Sequence, residues 1–181
     1  MSRLDSVIRR LEAQRACLEH AAALVDALPG PVLEFGLGQG RTYDHLREIL
    51  PGREIFVFER EVAEDLGNAG GLPGGLPDNG HLILGDVRET LPHVAARFAG
   101  AVPLIHSDIG TGDARSNGKL AHFLAAFLPD LLRPGGVVVS DQDLNHDAAV
   151  PVALPDGVRP GRYFMYRAGA DRHLRSSTTG T

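Results

Sequence analysis

Hydrophobic residues at the start of the chain recur at spacings of three and four. This is the period of an amphipathic helix with one apolar face, and the pattern runs from Ser2 to Leu28 before Pro29 and Gly30 interrupt it. The sequence therefore predicts a helix over residues 2–28 with a break after it. The apolar positions are Leu4, Val7, Ile8, Leu11, Leu18, Ala21, Ala22, Val25 and Leu28.

Five short aliphatic runs follow, and they lack the helical period. Runs of this kind are typical of strands buried on both faces of a parallel sheet. They are separated by segments that are helical or long enough for a crossover, so the chain predicts an α/β fold of a single domain. The expected sheet is doubly wound and mostly parallel, with helices on both faces. The runs lie at residues 32–35, 55–58, 82–84, 102–105 and 137–139.

The connections between these strands differ in how clearly they predict helix. Residues 42–50 and 92–98 carry helix-start signals, with Pro92 expected in the first turn. Residues 120–131 carry the clearest later apolar stripe. Residues 67–80 hold six glycines and two prolines, which predict a loop. That loop is either a plain connector or a mobile lid near a ligand.

The C-terminal part alternates basic and aromatic residues at Arg162–Arg167, the period of a strand. We expect an antiparallel edge strand there, with residues 150–154 as a candidate partner. The domain is predicted to span residues 1–170. Residues 171–181 are expected to form a flexible tail.

Charge and composition narrow the function classes. The chain has 181 residues with 18 Lys and Arg against 23 Asp and Glu, a net charge of −5. This balance argues against general nucleic-acid binding. No apolar run reaches the roughly 20 residues of a membrane helix, and a single cysteine, Cys17, excludes an intrachain disulfide. A cytoplasmic protein is expected.

The net charge conceals a basic segment near the C terminus. Residues 159–181 contain five Arg and one Asp. Guanidinium groups match carboxylate and phosphate, so Arg159, Arg162 and Arg167 are candidates for binding an anionic acceptor. The alternative is a solvated edge strand that is protected by its charge.

A glycine-rich loop follows the first predicted strand. Such a loop lets a ligand approach the backbone near a helix N-terminus. Its glycines read GxGxG, with Arg41 where a nicotinamide-dinucleotide fingerprint needs its third glycine. A nicotinamide-dependent oxidoreductase is therefore disfavoured. The loop and the acid before it comprise Glu34, Gly36, Leu37, Gly38, Gln39 and Gly40.

Every predicted strand has an acid at or just beyond its carboxyl end. Ligands of open α/β sheets bind at these ends. A row of carboxylates there suits a ligand that carries hydroxyls, amino groups and positive charge. The five acids are Glu34, Glu59, Asp86, Asp108 and Asp141.

Five motifs, in order, resemble those of class I S-adenosylmethionine-dependent methyltransferases, whose fold is Rossmann-like. They are VLEFGLGQG, EIFVFE, GDVRETL, LIHSDIGTG and LLRPGGVVVSDQ. The resemblance implies that S-adenosyl-L-methionine is the cofactor and that the loop glycines make room for it. It implies that Glu59 binds the ribose hydroxyls, that Arg60 flanks the adenine, and that Asp86 and the Val87 amide face the adenine edge.

The fourth motif departs from that of the base methyltransferases, because Ser107-Asp108-Ile109-Gly110 replaces an acid or amide followed by two prolines and an aromatic. Base methylation is disfavoured. Asp108 and Asp141-Gln142 occupy positions where metal-dependent O-methyltransferases carry ligands, although no metal is expected. The catalytic candidates are Asp108, Asp141 and His106, with His146 as a further possible base. For His106 the alternative is a buried residue that fills space or contacts adenosine.

The sequence thus predicts an S-adenosylmethionine-dependent methyltransferase that acts on a small-molecule acceptor, with an anionic one as a candidate. The alternatives are an inactive S-adenosylmethionine-binding module and a divalent-metal O-methyltransferase. No nucleic-acid or membrane partner is expected. A homodimer whose second subunit helps to close the acceptor pocket is a candidate assembly.

Overall fold

A computed structural model describes residues 2–64, 66, 72, 75–78, 80–110, 113–144, 146–147 and 149–169. The chain forms one α/β domain around a seven-stranded sheet. The helices are α1 (Arg3–Leu24), α2 (Arg41–Ile49), α3 (Val87–Phe98) and α4 (Ala114–Leu131). The strands are β1 (Val32–Phe35), β2 (Ile55–Glu59), β3 (Leu82–Leu84), β4 (Val102–Ser107), β5 (Leu132–Ser140), β6 (Ala149–Pro151) and β7 (Phe164–Ala168).

The sheet has the strand order β3-β2-β1-β4-β5-β7-β6. The first five strands are parallel, and β7 runs antiparallel to both of its neighbours. Two apolar cores cover its two faces. One contains Leu18 of α1 and Leu46 of α2, and the other contains Leu91 of α3 and Leu124 of α4. The predicted doubly wound arrangement is confirmed.

The first helix begins as predicted but ends four residues early. Ser2 caps it with a reciprocal bond pair, in which the Asp5 N–H donates to the Ser2 hydroxyl and the Ser2 N–H donates to the Asp5 carboxylate. At the other end, the Arg53 guanidinium binds the carbonyl oxygens of residues 25, 26 and 28. The last carbonyl oxygens of a helix lack partners within it. Because Arg53 binds the carbonyls that follow α1, the chain can turn here without leaving them unpaired.

The apolar stripe of α1 is only partly buried. Its 22 residues span about 33 Å, whereas the four residues of β1 span about 13 Å. The first turns therefore extend past the carboxyl edge of the sheet, and Leu4, Val7 and Ile8 are 67%, 49% and 44% exposed. These three positions of the predicted apolar stripe therefore lie outside the core.

Two further expectations are corrected. Pro92 lies inside α3, because Asp86 caps the helix by accepting a bond from the Arg88 N–H and α3 starts at Val87. The basic-aromatic strand is β7, and it lies between β5 and β6 rather than at the edge. The edge strand is β6, whose Val150 and Pro151 pair with Arg167 and Tyr166.

Some expectations fall on residues that the structure does not describe. The predicted tail at 171–181 lies outside them, as do most residues of the predicted loop at 67–80. Of that loop, Leu72 and Leu76 contribute to the core beside α1 and α2. In the described parts of the chain, no helix is both long and apolar enough to cross a membrane.

Candidate functional site

A cleft of about 590 Å³ opens at the carboxyl edge of the parallel strands. The ends of β1, β2, β3 and β4 form it, together with the first turns of α3 and α4. This is the edge at which open α/β sheets bind ligands. Seven residues proposed from the sequence line it: Gly36, Gly38, Glu59, Arg60, Asp86, Val87 and Asp108.

The other proposed residues do not line this cleft. Glu34, Leu37 and Gly40 are buried, and Gln39 is exposed. Asp141 lies directly behind the cleft. His106 is fully buried in β4, and His146 lines a separate cavity beside α3 and α4.

The glycine loop is shaped by close packing on one side and open space on the other. Gly36 has a φ of +96°, and a Cβ there would lie 2.4 Å from the Ile109 Cγ2 atom. Gly38 has a φ of +50°, and a Cβ there would meet nothing within 4 Å. Gly36 thus allows the loop to touch the end of β4, while Gly38 faces the cleft.

Glu59 fastens this loop to the end of β2. Its Oε2 atom accepts the Leu37 N–H at 2.7 Å and the Gly38 N–H at 2.9 Å, and its Oε1 atom accepts the Arg60 N–H at 2.7 Å. A carboxylate accepts about four hydrogen bonds. One acceptor position on Oε1 therefore remains for a hydroxyl in the cleft.

Asp86 caps α3 and also pairs with Arg88. The guanidinium binds in bidentate fashion, with Nε 2.9 Å from Oδ1 and Nη2 2.5 Å from Oδ2. These bonds hold the pKa of Asp86 well below its usual range. The acid predicted to face an adenine amino group is ionised and already paired.

A row of buried polar groups lies under the loop, on the face that α1 covers. Glu34 of β1 lies beside His106 of β4 in the sheet register, with 3.6 Å between Oε1 and Nδ1. Thr42 donates its hydroxyl to Glu34 Oε1, whereas Glu34 Oε2 has no partner among the described residues. On its other side, His106 Nε2 lies 3.4 Å from the Tyr163 hydroxyl.

Asp108 is where the first helix meets the cleft. The Gln14 amide donates to Asp108 Oδ2 at 2.7 Å, and Arg10 Nη1 lies 3.2 Å from the same oxygen. Sequence reasoning missed these two α1 residues. The available signal was Gln14 itself, a polar residue between Leu11 and Leu18 on the apolar stripe, and it is 5% exposed.

Asp141 lies behind the cleft, close to Asp108. Burial raises the pKa of Asp141, and the negative charge of Asp108 raises it further. Its Oδ2 accepts the Gln142 amide at 2.9 Å. A Cβ at Gly110 would come within 2.3 Å of that oxygen, so a larger residue there would displace the Asp141 side chain.

These acids do not form a metal-binding cluster. In the ranges described, no group of three or more His, Cys, Asp or Glu side chains could hold a metal ion. The cleft instead combines single carboxylates with a glycine loop and a helix N-terminus. The carboxylates accept hydrogen bonds from hydroxyls and amino groups and attract positive charge, whereas the helix N-terminus donates N–H groups to an acceptor atom.

Comparisons with known proteins agree with this geometry. A family model described as S-adenosyl-L-methionine methyltransferase matches residues 1–168. The crystal structure of an S-adenosyl-L-methionine methyl transferase from Silicibacter pomeroyi DSS-3 is similar at 44% identity and a TM-score of 0.83, covering 93% of this chain and 99% of that one. No functionally curated protein matches the sequence.

A more distant structure shares the fold. TrmN from Thermus thermophilus is 21% identical with a TM-score of 0.52, and the match covers 83% of this chain and 48% of that one. At this identity the likeness concerns the Rossmann-like architecture alone.

Proposed function

The chain belongs to the S-adenosyl-L-methionine methyltransferase family, and we propose that it methylates a small molecule held beside Asp108. When bound, S-adenosyl-L-methionine supplies an electrophilic methyl group on a positively charged sulfur. The protein's main contribution is to hold the acceptor in line with that group, and such positioning is worth up to roughly 7–11 kcal/mol.

The cleft residues fit this cofactor. We assign the ribose hydroxyls to Glu59, whose Oε1 keeps one acceptor position. We assign the adenine edge to Asp86 and to the Val87 N–H at the start of α3. Glu34 Oε2 has no partner among the described residues, and we propose that it accepts a bond from a polar cofactor group at the base of the loop. Burying that oxygen unpaired would otherwise be costly.

We assign the acceptor's proton to Asp108. Gln14 and Arg10 both contact its Oδ2 atom and thereby orient the carboxylate. Its Oδ1 atom accepts no hydrogen bond from the described residues and can accept a proton from a hydroxyl or amine. Asp141, whose pKa burial raises, is the second candidate. A positioned base contributes about 10²- to 10⁴-fold in rate.

His106 receives a different role. It is fully buried between Glu34 and Tyr163 and lines no part of the cleft. We therefore propose that His106 positions these two side chains and does not exchange a proton with the acceptor.

The charge of the cleft favours a small molecule over RNA. Four acids line it, Glu59, Glu61, Asp86 and Asp108, and only Arg60 and Arg88 oppose them. Arg88 is already paired with Asp86. Nucleic-acid binding depends on cationic groups that displace counterions from phosphates, and this edge of the sheet would repel a polyphosphate chain.

The proposal is tested by following a labelled methyl group from S-adenosyl-L-methionine into a cell extract that is separated into small metabolites and RNA. We expect label in the metabolite fraction. Asp108→Asn should reduce it about 10²-fold or more, while Asp26→Asn, an exposed change at the end of α1, should not. Label that appears in RNA alone would overturn the small-molecule assignment.

A further inference from the structure

A further cavity, of about 320 Å³, lies between α1 and residues 156–162. We call it the arginine groove. Two small residues of α1, Ala13 and Ala16, leave room for it. Four arginines line it, two from the helix and two from the chain that precedes β7: Arg9, Arg15, Arg159 and Arg162.

The chain opposite α1 is held by the rest of the fold. The Val158 N–H donates to the Pro155 carbonyl at 3.1 Å, and Gly157 has the positive φ of +83° that this turn requires. Val158 packs against the core of α1 and α2. Tyr163, directly after the last arginine, is 1% exposed. The arginines of this segment therefore project from a fixed scaffold.

The groove carries excess positive charge. Glu12 and Asp156 also line it, so four cations face two acids. The Arg15 Nε atom lies 3.9 Å from the Glu19 Oε1 atom. Glu19 itself does not line the groove. For Arg9, Arg159 and Arg162, the described residues include no carboxylate within ion-pair distance. Arg162 Nη2 only approaches the Ser6 hydroxyl, at 3.4 Å.

This concentration of positive charge contrasts with the chain's net charge of −5. Like charges held close together oppose folding unless an opposite charge compensates them. Guanidinium groups present planar forks that match carboxylate and phosphate oxygens in bidentate geometry. The volume is that of a small ligand's pocket rather than of an extended nucleic-acid surface.

We propose that the arginine groove is a second binding site, separate from the cofactor cleft, for a small anion that carries a carboxylate or phosphate group. Arg9 and Ala13 contribute to the groove, and the adjacent residues Arg10 and Gln14 contact Asp108. One helical segment thus joins the anion site to the proposed catalytic acid. The site does not depend on the identity of the methyl acceptor.

The test is calorimetric titration of the full chain, saturated with S-adenosylhomocysteine, in chloride buffer. The probes are inorganic phosphate and citrate, which distinguish phosphate from carboxylate recognition. We expect at least one to bind. Arg159→Ala and Arg162→Ala should each weaken that binding about tenfold or more, the loss expected for one charge-assisted hydrogen bond.

Lys119→Ala is the matched control, because it removes an exposed positive charge from α4. It should leave anion binding unchanged. All three variants should bind S-adenosylhomocysteine as tightly as the parent chain, which shows that they are folded and separates this site from the cofactor cleft.

Three results would overturn the inference. One is the absence of phosphate and citrate binding at about 10 mM, a concentration that reveals even a millimolar Kd. Another is binding that persists unchanged in both arginine variants. The third is arginine-dependent binding of an RNA oligonucleotide but of neither small anion, which would assign the groove to nucleic acid. None of these results bears on methyl transfer to a metabolite, which the labelling experiment measures separately.

Discussion

The side-chain amide of Gln14 donates a hydrogen bond of 2.7 Å to Asp108 Oδ2, although the two residues are 94 positions apart in the chain. Through this bond the first helix becomes part of the cleft at the end of β4. A hydrogen bond to a charged group contributes about 1.5–3 kcal/mol to folding stability. The helix therefore helps to fix the carboxylate that we assign to proton transfer.

Replacing Gln14 by Glu should make stability fall with rising pH. Two ionised carboxylates at this distance repel by about 1–4 kcal/mol, so ionisation of both acids destabilises the fold. The loss is absent below the unfolded pKa of about 4 and develops as pH rises above it. Urea denaturation at several pH values measures this. Gln14→Met also loses the bond to the ionised carboxylate but adds no second charge, so its stability should fall less steeply with pH, and equal slopes in the two variants would contradict the prediction.

Replacing Glu59 by Ala should weaken S-adenosylhomocysteine binding by about 1–3 kcal/mol. The substitution removes the acceptor assigned to the ribose and releases the N–H groups of Leu37 and Gly38. Calorimetric titration gives the change in affinity. Glu48→Ala on α2, where the side chain is 80% exposed, is the control and should bind normally. Unchanged affinity in the Glu59 variant would remove Glu59 from the ribose site.

Replacing Arg88 by Ala should raise the pKa of Asp86 towards its usual value of about 3.9. Arg88 lowers that pKa in the folded protein, so the pair stabilises the fold above the unfolded pKa. Its contribution is lost as pH falls through the lower, folded value. The variant should therefore lose less stability than the parent chain on acidification below about pH 4. Carboxyl NMR and acid denaturation measure the two effects, and Arg41→Ala is the control. An Asp86 resonance that titrates identically with and without Arg88 would refute the pairing.

Replacing Asp108 by Asn should lower the pKa of Asp141 without restoring its ordinary value. Burial is the larger cause of the raised pKa and persists, whereas the repulsion from Asp108 disappears. Because a raised acid pKa destabilises the fold as pH increases, the variant's stability should also decline less as pH rises above about 4. Carbon-detected NMR of the carboxyl group follows this titration. The Asp26→Asn protein should leave it unmoved, and an unchanged Asp141 pKa in the Asp108 variant would show that the two acids are not coupled.

The strands could be predicted because their information is local. The run at 32–35 became β1 with the same bounds, and the run at 82–84 became β3. Continuous aliphatic residues are buried on both faces of a parallel sheet, and few other structures accommodate them. The shared location of the acids at the ends of these runs could be predicted as well, because all parallel strands end at the same edge of the sheet.

Element ends were harder to predict because they depend on partners distant in the chain. The first helix ends at Leu24 because Arg53 binds the carbonyls that follow it. Helix α3 begins five residues before Pro92 because Asp86 caps it. In both cases a side-chain hydrogen bond overrides the signal of a nearby proline.

The sequence by itself determined the doubly wound sheet, the glycine loop and the carboxylates at the strand ends, because each follows from periodicity or from position relative to a strand. Only the tertiary structure decided which of these groups face the cleft. It buried His106 between Glu34 and Tyr163, turned Gln14 towards Asp108, and placed Arg9 and Arg15 opposite Arg159 and Arg162. These relationships join residues that are dozens of positions apart, and packing of α1 against the sheet creates them. No pattern confined to one segment carries that information.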